Sequence, residues 1–201
     1  MTDAIWSFWT EKIGPRNAYN EYSAFSYSVS DALLGMDFCI MHAAALRRGD
    51  KAYLITAPSG VGKSTQVRTL TELYPDEFTV ISGDRPVLEA KDDGTVFVHP
   101  SPWNGKEGWA GAGPAPLSGI IMLERGEENR VVQIAAKQAA VNIFTAIFQT
   151  AENEGNVLAA AAFAEKLLNC ASVWRFTNAG VPDSTRLLYE TLFGEDNVHE
   201  L

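Results

Sequence analysis

The stretch that most constrains this chain is Ala57-Pro58-Ser59-Gly60-Val61-Gly62-Lys63-Ser64-Thr65. Before it, Lys51-Ala52-Tyr53-Leu54-Ile55-Thr56 is a short apolar run that predicts a buried strand. After it, Val67, Leu70 and Leu73 recur at helical spacing. Strand, glycine-rich turn and helix give the context of the pattern G-x-x-x-x-G-K-[ST], with Ala57 in the first position. Gly60 and Gly62 permit positive φ and leave room for a ligand against the backbone. Successive N–H groups of such a turn point into one concavity, at the positive end of a helix dipole. Lys63 adds a full charge, and the Ser64 hydroxyl can ligate Mg²⁺. These features predict a P-loop in which Ser59, Gly60, Val61, Gly62, Lys63, Ser64 and Thr65 bind nucleotide phosphates. The plain alternative is a tight strand-to-helix turn that carries a surface lysine.

Composition limits the partners. With 201 residues, 46 % of them hydrophobic and 20 % charged, the chain reads as one globular domain over 1–201 with a real core. Its formal charge of −9 argues against nucleic acid or an anionic membrane as the main partner. A phosphate site must then be a local positive pocket. Cys39 and Cys170 sit in apolar settings without metal-type spacing, which predicts buried thiols in a reducing compartment. No basic leader precedes an apolar core at the N-terminus, and no apolar run is long enough to span a bilayer, so a cytoplasmic location is expected.

Around the loop the sequence predicts the following order. Residues 1–35 form an aromatic-rich extension whose Trp6, Phe8 and Trp9 pack on the domain. Phe25–Ser30 alternates apolar and polar and reads as a half-buried strand. Met36–Met41 is a second apolar run. Phe38–Leu46 and Lys51–Ile55 read as a hairpin-like pair joined at Gly49-Asp50. Phe78–Ser82 is a β-branched strand, and residues 87–99 are a hairpin turning at Asp93-Gly94. Residues 100–117, with Trp103, Lys106 and Trp109 among prolines and glycines, read as an irregular functional lid or substrate loop. Strands at 117–123 and 131–134, helices at 136–149 and 157–168, a strand at 172–176 and a helix from Pro182 to Leu192 complete the chain.

A kinase-type phosphate loop needs a carboxylate at the end of a neighbouring strand. Asp84, just past Ser82, is placed to hold Mg²⁺ or to take an acceptor proton. Otherwise it is a turn aspartate before Arg85-Pro86. His42, near the end of an apolar strand, is either a functional imidazole or a satisfied core or edge histidine. Lys106 either neutralises a transferring phosphoryl group or is a solvated loop lysine. Arg85 and Arg125 are expected to be surface or ion-pairing residues.

The order Met41-His42-Ala43, second strand, Ser59-Gly60-Val61-Gly62-Lys63-Ser64, helix, Ile81-Ser82-Gly83-Asp84 resembles the catalytic domain of HPr kinase/phosphorylase and its relatives, which share a fold with ATP-dependent phosphoenolpyruvate carboxykinase. Pro102-Trp103-Asn104-Gly105-Lys106-Glu107 resembles small bacterial proteins of that group. The resemblance covers roughly residues 36–150. It implies an α/β domain with a mixed sheet and flanking helices, ATP and Mg²⁺ as cofactors, and phosphoryl transfer to a serine hydroxyl. It implies roles for Lys63 and Ser64 at nucleotide and metal, and for His42 and Asp84 in catalysis. Where the relatives carry two adjacent aspartates, this chain has Gly83-Asp84 followed by Arg85. The leading expectation is a Mg²⁺-dependent kinase acting on a serine or other hydroxyl of a peptide, protein or small molecule. Homo-oligomers are common among such relatives. The missing aspartate motivates a second reading, a nucleotide-binding regulatory module without transfer. Carboxykinase-like chemistry on a small keto acid ranks last on chain length.

Overall fold

Two apolar faces run along each central strand, and they decide the architecture. The structure is a computed structural model and describes residues 3–109, 111–150 and 153–194. Its strands are β1 (Phe38–Ile40), β2 (Ala43–Arg48), β3 (Lys51–Thr56), β4 (Phe78–Ser82), β5 (Val87–Ala90), β6 (Val96–His99), β7 (Ala115–Arg125), β8 (Arg130–Ile134) and β9 (Ser172–Asn178). Its helices are α1 (Asp3–Ile13), α2 (Ala18–Leu34), α3 (Lys63–Leu73), α4 (Ala136–Ala146), α5 (Glu154–Cys170) and α6 (Asp183–Phe193). None of the described helices is long and apolar enough to cross a membrane.

Successive residues of a strand face opposite sides. Ala43, Ala45, Leu54 and Ile120 therefore join one buried cluster with Ile143 of α4 and Phe163 and Leu167 of α5. Ala44, Leu46, Ile55 and Ile121 join a second cluster with Val67 and Leu70 of α3 and Leu188 and Phe193 of α6. Because both faces are covered, β3 reads as a nearly unbroken apolar run.

The sheet is mixed. β3 pairs antiparallel with β2, and β2 with β4. On its other edge β3 pairs in parallel with β7, and β7 in parallel with β9; β8 closes antiparallel on β9. β1, β5 and β6 form an antiparallel ladder that joins the start of β7 at Phe97↔Pro116 and Val98↔Ala115. In this topology the C-terminal ends of β3, β4 and β7 lie at the same edge of the sheet. In the α3–α6 contact, buried Gln66 donates to Ser184 Oγ (3.2 Å) and accepts from Thr185 Oγ1 (2.7 Å).

Three expectations need correction. Residues 25–30 are not a strand but the middle of α2. The alternation of Phe25, Tyr27 and Val29 misleads because α2 buries its small residues: Ser23, Ser26, Ser30 and Leu34 repeat at three or four, while Phe25 stays 55 % exposed. Ser26 and Ser30 hydroxyls donate to Ser23 O and Phe148 O, so the polar face can be buried. Second, the run 38–46 is two strands in different ladders. It breaks at Met41, bridged to Ile147, and at His42, whose N–H donates to Ala146 O (2.7 Å). Third, the irregular segment ends earlier than residue 117, since β7 begins at Ala115; Pro116 lies near the start of the strand, where a missing N–H is tolerated. Trp6 and Trp9 are buried, but against Ala24 and Tyr27 of α2, inside the N-terminal segment itself; Phe8 is exposed. Cys39 is buried, Cys170 half-buried, and both are free.

Candidate functional site

The turn between β3 and α3 takes the glycine conformations its sequence requires. Gly60 has φ 80° and Gly62 φ 123°, and no atom lies within 4 Å of where a Cβ would sit on either. Gly62 is the N-cap of α3 and brings no side-chain acceptor, so the first N–H groups of the helix stay available to a ligand. Ser59, Gly60 and Thr65 are exposed; Val61, Gly62, Lys63 and Ser64 are half-buried. The Lys63 ammonium folds back across the turn, donating to Ala57 O (3.0 Å) and to His42 Nε2 (2.9 Å). With Lys63 donating, His42 Nε2 is the acceptor and its ring proton sits on Nδ1.

Arg125, at the end of β7, reaches the same turn. Its Nη2 donates to Gly60 O (2.8 Å) and its Nε to Val61 O (3.2 Å). In a planar trans peptide the C=O and N–H point opposite ways. Holding Val61 O against Arg125 therefore turns the Gly62 N–H away from Arg125. Arg125 is exposed, in line with the surface position expected of it, and its partners are loop carbonyls.

β4 delivers Asp84 to this edge. Asp84 Oδ1 lies 3.9 Å from His42 Nε2, and Oδ2 lies 3.4 Å from Arg85 Nε. Oδ1 is buried and has no hydrogen-bond partner. Burial pushes the Asp84 carboxyl above its usual range, against the pull of Arg85 and Lys63. Burial also lowers the Lys63 ammonium, with Asp84 opposing. His42 is pushed down to about 4, first by burial and then by the charges of Lys63 and Arg85. At neutral pH the imidazole that lies between Lys63 and Asp84 is thus neutral.

Arg85 is not a surface residue. It is 8 % exposed, with φ 48°, a backbone region that non-glycine residues seldom occupy. Its Nη1 donates to Ser26 Oγ of α2 (2.8 Å), and its guanidinium lies over the rings of Phe148 (4.8 Å) and Tyr22 (5.2 Å). The residues 1–35 therefore do more than pack on the domain: α2 forms a wall of the site. Sequence patterning missed Ser26 because residues 25–30 read as a strand, and Tyr22 because no element was assigned there; the aromatic density was the available signal.

The segment 100–114 is tied to β4. Gly83 N–H donates to Trp109 O (3.0 Å) and Ala112 N–H to Val80 O (3.1 Å). Ser82 Oγ lies 3.4 Å from Asn104 Oδ1. Trp103 is 4 % exposed, clustered with Ile40 and Phe148. Lys106 is exposed on this segment and makes no hydrogen bond or ion pair with the described residues, so it stands apart from the Lys63–His42–Asp84 group. Its neighbour Glu107 is half-buried instead, 3.8 Å from Arg68.

Among the described residues, no group of three or more His, Cys, Asp or Glu can hold a metal ion by itself. The available donors are the Ser64 hydroxyl and the orphaned Asp84 Oδ1. An all-oxygen set of that kind suits Mg²⁺, which binds through one or two carboxylates together with substrate phosphates. By donor type, Ser64 and Asp84 fit the ion in that form.

No family model matches the sequence, and no curated protein matches it. Among solved structures, the chain is similar to the HPr(Ser) kinase/phosphatase from Coxiella burnetii, at 13 % identity over 76 % of this chain and 92 % of that one, with a TM-score of 0.44. A likeness that slight fixes neither the fold type nor the activity of this chain.

Proposed function

We propose that the protein binds ATP with Mg²⁺ at the 57–65 P-loop and transfers the γ-phosphoryl group to a hydroxyl acceptor. The observation that carries this reading is the meeting of Lys63, His42 and Asp84, from three separate segments, at the mouth of a glycine-rich turn with free helix N–H groups. The amides of residues 60–65 and Lys63 would cradle the phosphates. Ser64 and Asp84 would hold Mg²⁺, which neutralises charge on the transferring group. The acceptor oxygen attacks the γ-phosphorus, the bond from phosphorus to the β–γ bridging oxygen breaks, and ADP leaves. The hydroxyl proton passes to Asp84, whose raised affinity for a proton suits that task. His42, neutral and accepting from Lys63, orients the ammonium without adding a competing charge.

A second reading has its own support. Arg85 lies 3.4 Å from Asp84 and can quench it as a base, leaving ATP binding without transfer. Calorimetric titration with Mg²⁺·ATP, followed by incubation with γ-labelled ATP and hydroxyl acceptors, tests both. Wild type should bind, and Lys63→Ala should weaken binding by about a hundredfold with an unchanged circular dichroism spectrum. Label appearing on an acceptor supports the kinase; binding with no transfer supports the second reading. Equal affinity in Lys63→Ala would sink the site.

A further inference from the structure

Asp84 has neighbours on three sides, and the last of them is the least engaged. Its Oδ1 turns to His42 and its Oδ2 to Arg85. A third side is closed by the 104–107 turn. A Cβ on Gly83 would lie 2.6 Å from the backbone oxygen of Asn104, and one on Gly105 would lie 3.3 Å from Asp84 Cβ. His42 in turn meets Lys63, so the contacts run from Lys63 to His42, to Asp84 and to Arg85. Lys63 begins that row at the phosphate loop. Arg85 ends it at α2, through Ser26 and Tyr22.

Arg85 is a buried cation with little to match it. Its Nη1 meets Ser26 Oγ at 2.8 Å, but its buried Nε has no hydrogen-bond partner. The rings of Tyr22 and Phe148 stabilise its charge without neutralising it. Among the described residues its carboxylate partner is Asp84, at 3.4 Å and too poorly aligned to hydrogen-bond. In the transfer proposed above Asp84 holds a cation or takes a proton, and either use removes the counter-charge of Arg85. A buried cation without a counter-charge is strongly disfavoured. An anion brought by the ligand at this end would restore the match. Beside it α2 offers apolar surface: Tyr22 and Phe25, one turn apart, are both partly exposed and both lie against Trp103.

We infer that the acceptor carries an oxyanion, a carboxylate or a phosphate, beside its hydroxyl, that Arg85 receives this group, and that Tyr22 and Phe25 of α2 flank the acceptor. The inference rests on the transfer reading above and names the substrate class of that site. The transfer itself is unchanged: the acceptor oxygen bonds to the γ-phosphorus, ADP leaves, and the hydroxyl proton goes to Asp84. The test uses three probes of one skeleton, glycerate, glycerol phosphate and glycerol, with Mg²⁺ and γ-labelled ATP. Wild type should label at least one charged probe with a KM about tenfold or more below that for glycerol. Which charged probe is preferred tells carboxylate from phosphate. Arg85→Gln should raise that KM to the level of glycerol while kcat changes less, and Arg85→Lys should recover part of the loss. A merely structural arginine would lower transfer to charged and neutral probes alike, and that result overturns the inference. So does wild type that labels glycerol as well as the charged probes, or that binds Mg²⁺·ATP and labels neither charged probe. Both of these leave the nucleotide site standing, and the comparison in wild type decides even where Arg85→Gln does not fold. Wild type that binds no Mg²⁺·ATP overturns both readings together.

Discussion

The 57–65 turn and the 100–114 segment are both rich in glycine and both border Asp84, yet they are held by different means. The first is set chiefly by its own chain: Gly60 and Gly62 at positive φ, Val61 N–H on Pro58 O, Lys63 on Ala57 O, with Arg125 added from outside. The second is set at long range, by Gly83 on Trp109, Ala112 on Val80, Asn104 beside Ser82, and Trp103 sunk between α2 and Phe148. A locally held turn can be recognised from a short pattern of residues. A segment held by distant partners cannot: the composition of 100–114 revealed its irregularity, not the Gly83–Trp109 and Ala112–Val80 bonds that tie it to β4.

That contrast can be broken by substitution. Trp103→Ala should have the largest effect, destabilising the protein by about 3–4 kcal/mol, since it empties a buried aromatic site. Urea denaturation measures the loss, and limited proteolysis should show new cleavage within 100–114. A loss under about 1 kcal/mol would mean the segment is not anchored as described. Gly83→Ala against Gly60→Ala compares the two regions directly. At Gly83 the added methyl meets a carbonyl oxygen at 2.6 Å, and about 2–3 kcal/mol of stability should go as the 104–107 turn is displaced. At Gly60 the space is open and only φ 80° is strained, at about 1 kcal/mol. The reverse ranking would refute the assignment of long-range and local support.

The third prediction concerns His42, which meets the 57–65 turn at Lys63 and lies 3.9 Å from Asp84. His42 titrates near 4 in the folded protein against an ordinary 6.5. Between those values the unfolded chain binds a proton that the folded protein does not, so stability falls as pH drops from 6.5 towards 4. About a third of the imidazole side chain is exposed. Discounted for that, the loss is about 2 kcal/mol. Asp84 acts the other way, its raised affinity for protons stabilising the fold at low pH, but it is present in both proteins compared. Urea unfolding of wild type and His42→Gln across this range should give a steeper fall for wild type. Parallel curves would show that His42 is not held neutral between Lys63 and Arg85.

Much of the frame could be read in advance. β3, α3 and β4 fall where Leu54, Val67, Leu70 and Val80 put them, because strand and helix periodicities there coincide with burial. His42, Lys63 and Asp84 were each visible beside a recognisable element, and the fold brings them together. α2 was not legible, because its buried face is made of serines whose hydroxyls are satisfied only by the folded backbone. Arg85, expected at the surface or in an ion pair, does pair with Asp84 at 3.4 Å but is buried, because its other partners, Ser26, Tyr22 and Phe148, lie far from it in sequence.

The sequence by itself determined the 57–65 turn, since glycine spacing, a preceding apolar strand and a following helix are local properties of the chain. Tertiary structure decided what stands opposite that turn. Whether a carboxylate, a guanidinium or a lysine faces it depends on how β4, α2 and the 100–114 segment converge. There Arg85 was buried beside Asp84, because burial and backbone contacts between distant segments, not spacing along the chain, set which charges lie together.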